Sequence, residues 1–151
     1  MTETSASPAE TNIALRMCLP ARQGGYGIVR PAMNKAIKLP LAVRKMAGAR
    51  EYRPDFYWKQ FKLCLEYQSD EWHLKKESSY ADARRANNLQ FLGLTVVTAW
   101  RPDIADINEF ENLMRRLLRH MGKRAHRVTP AFIRAQRKLV HQLHETEQLL
   151  K

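Results

Sequence analysis

A small mixed α/β domain is what this sequence predicts: a sheet of three or more strands around a central β-hairpin, flanked by helices. Three observations carry the expectation. Two aromatic-rich alternating runs, "PDFYW" and "FKLCLEYQ", sit on either side of a short polar break at Lys59-Gln60, the signature of paired strands. Between Phe110 and Met121 the apolar residues Phe110, Leu113, Met114, Leu117, Leu118 and Met121 recur at i, i+3, i+4, i+7, i+8 and i+11, the stripe of an amphipathic helix. Finally, 151 residues with 44% apolar and 27% charged side chains suit one globular domain with a core of its own.

The elements follow in order. Residues 1–6 are expected to be a disordered tail, and residues 7–151 a single domain with its core at about 50–122. Ser7-Pro8-Ala9-Glu10 opens a helix, with Ser as N-cap, Pro at the first helical position and Glu closing a capping box. The apolar residues after it hold no clean helical period, so the helix is short and ends before Pro20. "ARQGGYGIVRPAMN" reads as loop, its glycines serving turns rather than a phosphate cradle. Lys35–Arg50 is basic, interrupted by Pro40, and of no definite type. In the hairpin, a turn about Gln60-Phe61 pairs Lys59 with Lys62. Leu63, Leu65 and Tyr67 then share one face, and Cys64, Glu66 and Gln68 the other. Ser79 with Asp82 starts a helix that Gly93 stops. "LTVVTAW" (Leu94–Trp100) reads as a short buried strand. Asp106 with Glu109 caps the amphipathic helix, which Gly122 ends, and Thr129-Pro130 begins a C-terminal helix over 129–150.

Charge narrows the partners. Lys and Arg number 26 against 15 Asp and Glu, a net charge of +11, and a positive field of that size concentrates polyanions, nucleic acid first among them. No apolar run approaches the roughly 20 residues of a membrane span, and the acidic, polar "MTETSASPAE" lacks the plan of a secretory signal. Two cysteines, Cys18 and Cys64, are too few and too far apart for a disulfide framework or structural zinc. The expected compartment is a reducing cytoplasm.

Against that basic background, two carboxylates stand out in "RPDFYWKQFKLCLEYQSDEWH". In the predicted register Asp55 lies opposite Glu66, with Cβ atoms roughly 4.5–5.5 Å apart. Two carboxylates so placed repel unless a divalent cation sits between them. Mg²⁺, or Mn²⁺ in its place, takes one or two carboxylates together with waters and phosphate oxygens. Gln68, two residues on from Glu66, projects from the same face and can hold a water or a phosphate oxygen. The pattern therefore points to phosphodiester hydrolysis.

The run 53–73, followed by "ADARRANNLQFLGLTVVTAW", resembles the PD-(D/E)XK, restriction-endonuclease-like superfamily. More narrowly it is similar to small endonucleases related to very-short-patch mismatch repair. The likeness is carried by Arg53, Asp55, Glu66, Tyr67, His73, Asp82, Arg85, Leu89, Leu92 and Gly93, and covers about Arg53–Met121. It implies a Mg²⁺-dependent DNA endonuclease of repair, restriction or mobile-element context. Asp55 and Glu66 would bind metal, Gln68 would stand in for the family's lysine, His73 would lie near the scissile phosphate, and Glu10 would be an auxiliary acidic residue. Two departures accompany it: Gln68-Ser69 replaces the family's Asp-Gly, and the lysine is absent.

Each residue also has a plainer reading. Glu10 is the capping-box partner of Ser7, His73 a loop histidine, and His141 and His144 are surface residues. Lys75, Lys76 and Arg84 either track phosphate or form a solvated basic face. The same choice applies to Arg115, Arg116 and Arg119 in "RRLLRHMGKRAHR", where backbone contact with DNA is the expectation. Two further readings stay open. The first is a catalytically degenerate nucleic-acid-binding protein of the same fold, and the second a basic ribosome- or RNA-associated module.

Overall fold

The computed structural model describes residues 7–69 and 86–150. The tail expected over 1–6, and the helix start expected at Ser79 and Asp82, lie outside the described residues. The chain divides into two compact units, residues 1–30 with 111–151, and residues 31–110.

The second unit holds the sheet, a mixed one of four strands in the order β1-β4-β5-β6: Ala32–Met33, Phe56–Trp58, Leu63–Gln68 and Thr95–Trp100. The first three run antiparallel, while β5 and β6 are parallel. A parallel pair requires a crossover connection, and the helical residues 86–91 lie within it. That helix ends at Gly93, whose φ of 76° is the left-handed stop expected there. The Gly93 N–H reaches the Gln90 carbonyl and the Leu94 N–H the Leu89 carbonyl, the paired bonds of a Schellman motif. Leu89 and Leu94 are both buried in one cluster, the hydrophobic contact that accompanies such a stop.

The hairpin has the predicted register, with Phe56 opposite Leu65, Tyr57 opposite Cys64 and Trp58 opposite Leu63. Its turn is a 3-10 turn over Lys59–Phe61, closed by the Lys62 N–H on the Lys59 carbonyl at 3.2 Å. The two faces separate as expected: Phe56, Trp58, Leu63 and Leu65 are fully buried on one, while Tyr57, Cys64 and Glu66 occupy the other. The expectation for Leu94–Trp100 needs correcting. Among the described residues β6 is an edge strand, and its burial alternates, with Val97 and Ala99 buried and Val96, Thr98 and Trp100 half-buried.

The basic segment Lys35–Arg50 resolves into three elements: β2 (Ile37–Lys38), helix α2 (Leu41–Ala47) and the approach to β3 (Glu51–Tyr52), which pairs with β2. Their apolar side chains Leu39, Val43 and Tyr52 bury Cys64, Leu89 and Leu94. Burial therefore picks out the few apolar residues in a segment whose charges hide its period. A short helix α3 (Arg101–Ala105) also precedes the predicted amphipathic helix α4 (Ile107–His120). The Asp106 carboxylate caps α4 by accepting the N–H groups of Asn108 and Glu109, and Gly122 ends it at φ 69°.

In the first unit, α1 (Pro8–Cys18) and α5 (Pro130–Leu149) begin as predicted. Ser7 and Glu10 form both bonds of the capping box, and the Thr129 hydroxyl accepts the Phe132 N–H at 3.1 Å. The two helices are tied by Asn12, whose amide donates to Glu147 at 3.0 Å. The glycine-rich loop packs against α5, and Gly24 shows why no side chain is tolerated. Its φ is 90°, and a Cβ there would lie 2.5 Å from the Ala135 carbonyl oxygen. Beyond it Tyr26 stacks on His126 and meets the edge of Phe132, while its hydroxyl accepts the buried Gln136 amide at 3.0 Å. The neighbouring Arg16 is 3% exposed, and burial pulls its guanidinium down to about 10, with Tyr26 acting the other way.

Candidate active site

Extending the hairpin register by one pair sets Asp55 opposite Glu66, just past the last ladder pair Phe56–Leu65. Both carboxylates are half-buried. The chain enters the hairpin through the fully buried Pro54, which has no N–H to add to the ladder. The Asp55 carboxylate instead accepts the Tyr67 N–H at 2.8 Å, while its own carbonyl accepts the Asn34 N–H at 3.1 Å. Asp55 is thereby fixed to two strands. A carboxylate has about four lone-pair sites, so accepting this N–H does not by itself exhaust them.

Glu66 is held from another direction. Tyr52, on β3 and 5% exposed, donates its hydroxyl to Glu66 Oε1 at 2.5 Å. Across β6, Thr98 sits in register with Glu66, and Trp100 with Gln68. Gln68 is exposed and follows Glu66 on the same face of β5. Glu66 and Gln68 therefore share one face of β5, and Asp55 is tied to that strand through the Tyr67 N–H.

Cys64 lies on this face too, fully buried. Burial, and secondarily the charge of Glu66, pushes its thiol up to about 12, so it stays protonated at neutral pH and is no nucleophile. Burial likewise raises the Tyr57 hydroxyl, with Cys64 a smaller cause. Arg53, which contributes to the family resemblance, turns toward Glu51 at 3.5 Å and the Asn34 carbonyl at 3.4 Å.

The other expected site residues fare differently. His73, Lys75, Lys76 and Arg84 lie outside the described residues. Glu10 belongs to the first unit, where its carboxylate accepts the Ser7 N–H at 3.0 Å. Arg115, Arg116 and Arg119 are exposed on α4, opposite its buried stripe, and Arg115 pairs with Glu111 at 3.3 Å. His141 and His144 are exposed on α5, and His141 meets Glu145 at 3.2 Å. Among the described residues, no set of three or more His, Cys, Asp or Glu side chains is arranged to hold a metal ion.

Tyr52 and Thr98 escaped sequence reasoning. Thr98 meets Glu66 through strand pairing and Tyr52 through its hydroxyl, from the separate β2-β3 sheet, and neither has a local spacing that announces it. The donor set that results is two carboxylates, with a hydroxyl and a main-chain N–H orienting them. Carboxylate oxygens are donors of the kind that hard cations take.

Two uncharacterized proteins of Mycobacterium tuberculosis, one from strain CDC 1551 / Oshkosh and one from strain ATCC 25618 / H37Rv, are each 34% identical to this chain over 76 residues. The match takes in 50% of this chain and 27% of each relative, so the chain spans about a quarter of their length. No family model and no solved structure matches the chain. No helix among the described residues is long and apolar enough to cross a membrane.

Proposed function

We propose that the chain is a Mg²⁺-dependent endonuclease of restriction-endonuclease-like fold that hydrolyses phosphodiester bonds in DNA. The observation that supports it most is the hairpin register, which, continued one pair beyond Phe56–Leu65, would set Asp55 opposite Glu66, inside a protein of net charge +11. Opposed carboxylates on a hairpin are unfavourable unless something positive offsets them.

In this reading Asp55 and Glu66 hold the cation. When bound, it polarises the scissile phosphate and lowers the pKa of a coordinated water. The chain's own residues do the positioning. The Tyr67 N–H fixes the Asp55 carboxylate, and the Tyr52 hydroxyl fixes that of Glu66. Hydrogen bonds that orient a metal-binding carboxylate are worth roughly 10–100-fold in metal affinity. The Gln68 amide, exposed at the end of the same face, offers an N–H to a phosphate oxygen or a carbonyl to the attacking water. It brings no positive charge, and that feature favours the second reading, a nucleic-acid-binding protein that keeps the fold without cleaving.

Nicking of supercoiled plasmid in Mg²⁺ tests the proposal. The native chain should cut, and Asp55→Ala and Glu66→Ala should not, while both bind DNA as well or slightly better because each removes a negative charge. Variants that cut like the native chain would show the site to be misassigned. A native chain that binds but never cuts would leave the second reading.

A further inference from the structure

Charge is divided unevenly between the two units. Residues 1–30 and 111–151 carry thirteen Lys and Arg against five Asp and Glu, a net +8, whereas residues 31–110, which contain the carboxylate pair, carry a net +3. Within the first unit the excess is ordered along α5. Arg134, Arg137, Lys138 and His141 recur at i, i+3, i+4 and i+7, and all four are exposed. At 3.6 residues per turn they fall within an arc of about 100°. The buried side chains of α5, Phe132, Gln136 and Leu139, occupy the opposite side. Glu145 meets His141 at the C-terminal end of the stripe. Among the described residues, no carboxylate lies within ion-pair distance of Arg134, Arg137 or Lys138.

A groove of about 310 Å³ flanks the stripe. Lys138 and Gln142 line it from α5, and Arg22 and Gln23 from the 3-10 turn at Ala21–Gln23, with Leu19 and Leu139 also in its walls. The turn is held against the helix by the close approach at Gly24, so the groove is preformed. Two cations and two amides facing one channel are donors suited to phosphate oxygens.

The spread of the charges identifies the ligand. Arg134 to His141 extends roughly 10 Å along the helix axis at 1.5 Å per residue, so the charges follow a line and do not converge on one small anion. A membrane-surface helix would need a free apolar face to enter the headgroup region, whereas Phe132 and Leu139 on the far side of α5 are buried. A regularly charged linear polyanion fits both features.

We propose that the exposed face of α5, with Arg22 across the groove, is a sequence-independent track for a nucleic-acid phosphate backbone. It rests on the nucleic-acid part of the function proposed above and not on hydrolysis. Its residues are other than Arg115, Arg116 and Arg119, the arginines on α4.

The test is equilibrium binding in EDTA, by fluorescence anisotropy, of labelled duplexes of unrelated sequence across a series of KCl concentrations. Each phosphate contact contributes about 0.9 to the log–log salt slope on duplex DNA. Replacing Arg134, Arg137 and Lys138 together by alanine should flatten the slope by up to about 2.7 and weaken every duplex alike. Arg22→Ala should remove about 0.9 more. Arg134→Lys with Arg137→Lys, which keeps the charge, should leave the slope in place. Circular dichroism checks that the triple variant is folded. An unchanged slope in the folded triple variant would overturn the track and make the stripe a solvated face. So would a native chain that binds neither duplex, single strand nor RNA. A native chain that binds with the expected slope loss yet never nicks plasmid would refute hydrolysis and support the track.

Discussion

Arg-Pro-Asp occurs twice in this chain, at Arg53–Asp55 and at Arg101–Asp103, and the two copies fold differently. The first leads into strand β4, with Pro54 fully buried. The second forms the start of helix α3, with Pro102 exposed in its first turn. Both aspartates accept a main-chain N–H at 2.8 Å, but Asp103 takes it from Trp100, three residues away, and Asp55 from Tyr67, twelve residues away. The tripeptide is thus compatible with either structure, and the residues after it decide. Phe56-Tyr57-Trp58 finds a partner strand in Leu63–Leu65. Ile104-Ala105 finds no pairing strand and gives way to the capped start of α4 at Asp106. Only the long-range copy ties its aspartate to a strand of the sheet beyond its own turn.

That difference can be broken chemically. Asparagine in place of aspartate keeps a carbonyl to accept the N–H and removes the charge, so it separates bracing from metal binding. Asp55→Asn should fold normally and lose Mg²⁺-dependent nicking by more than the roughly 10–100-fold typical of losing a bond that only orients a ligand. Asp103→Asn should cut like the native chain. Equal activity in the two variants would mean that the copies differ in structure alone.

A smaller effect is expected one bond further out. Tyr52→Phe removes the hydroxyl that Glu66 accepts and leaves the ring in its buried place. Mn²⁺ affinity, read by calorimetry, should fall roughly 10–100-fold, with DNA affinity in EDTA unchanged. An unaltered Mn²⁺ affinity would make the Tyr52 bond a matter of packing and weaken the case that Glu66 is a ligand.

How legible these features were in the sequence follows the same division between local and distant contacts. The caps at Ser7, Asp106 and Thr129 and the stops at Gly93 and Gly122 could be read because each bond spans only a few residues. The hairpin register could be read because its turn is short. Tyr52 could not be read, since it reaches Glu66 only after α2 and the β2-β3 pair fold over Cys64. The edge position of β6 was hidden for a related reason: "LTVVTAW" is apolar enough for a central strand, and pairing order is not a local property. The basic stripe on α5 has helical spacing in the sequence, but it becomes one exposed line of charge only once Phe132, Gln136 and Leu139 are placed in the core.

The smallest expected effect concerns the second Arg-Pro-Asp, and there stability is the readout. Asp103 binds the Trp100 N–H at the point where β6 ends and α3 begins. Asp103→Ala removes the acceptor at a half-buried position. Cap losses of this kind cost about 1 kcal/mol, and in a chain of this size that lowers Tm by about 2–4 °C. Asp55→Ala should cost more, because the Tyr67 N–H it abandons sits within the sheet, where an unsatisfied group costs about 1–3 kcal/mol. Thermal unfolding of the two alanine variants side by side checks the ordering. If Asp103→Ala proves the more destabilising, the short-range bond anchors more structure than the long-range one. The twelve-residue bond from Tyr67 would then be incidental to the hairpin, and Asp55 would be held in place by the buried Pro54 before it.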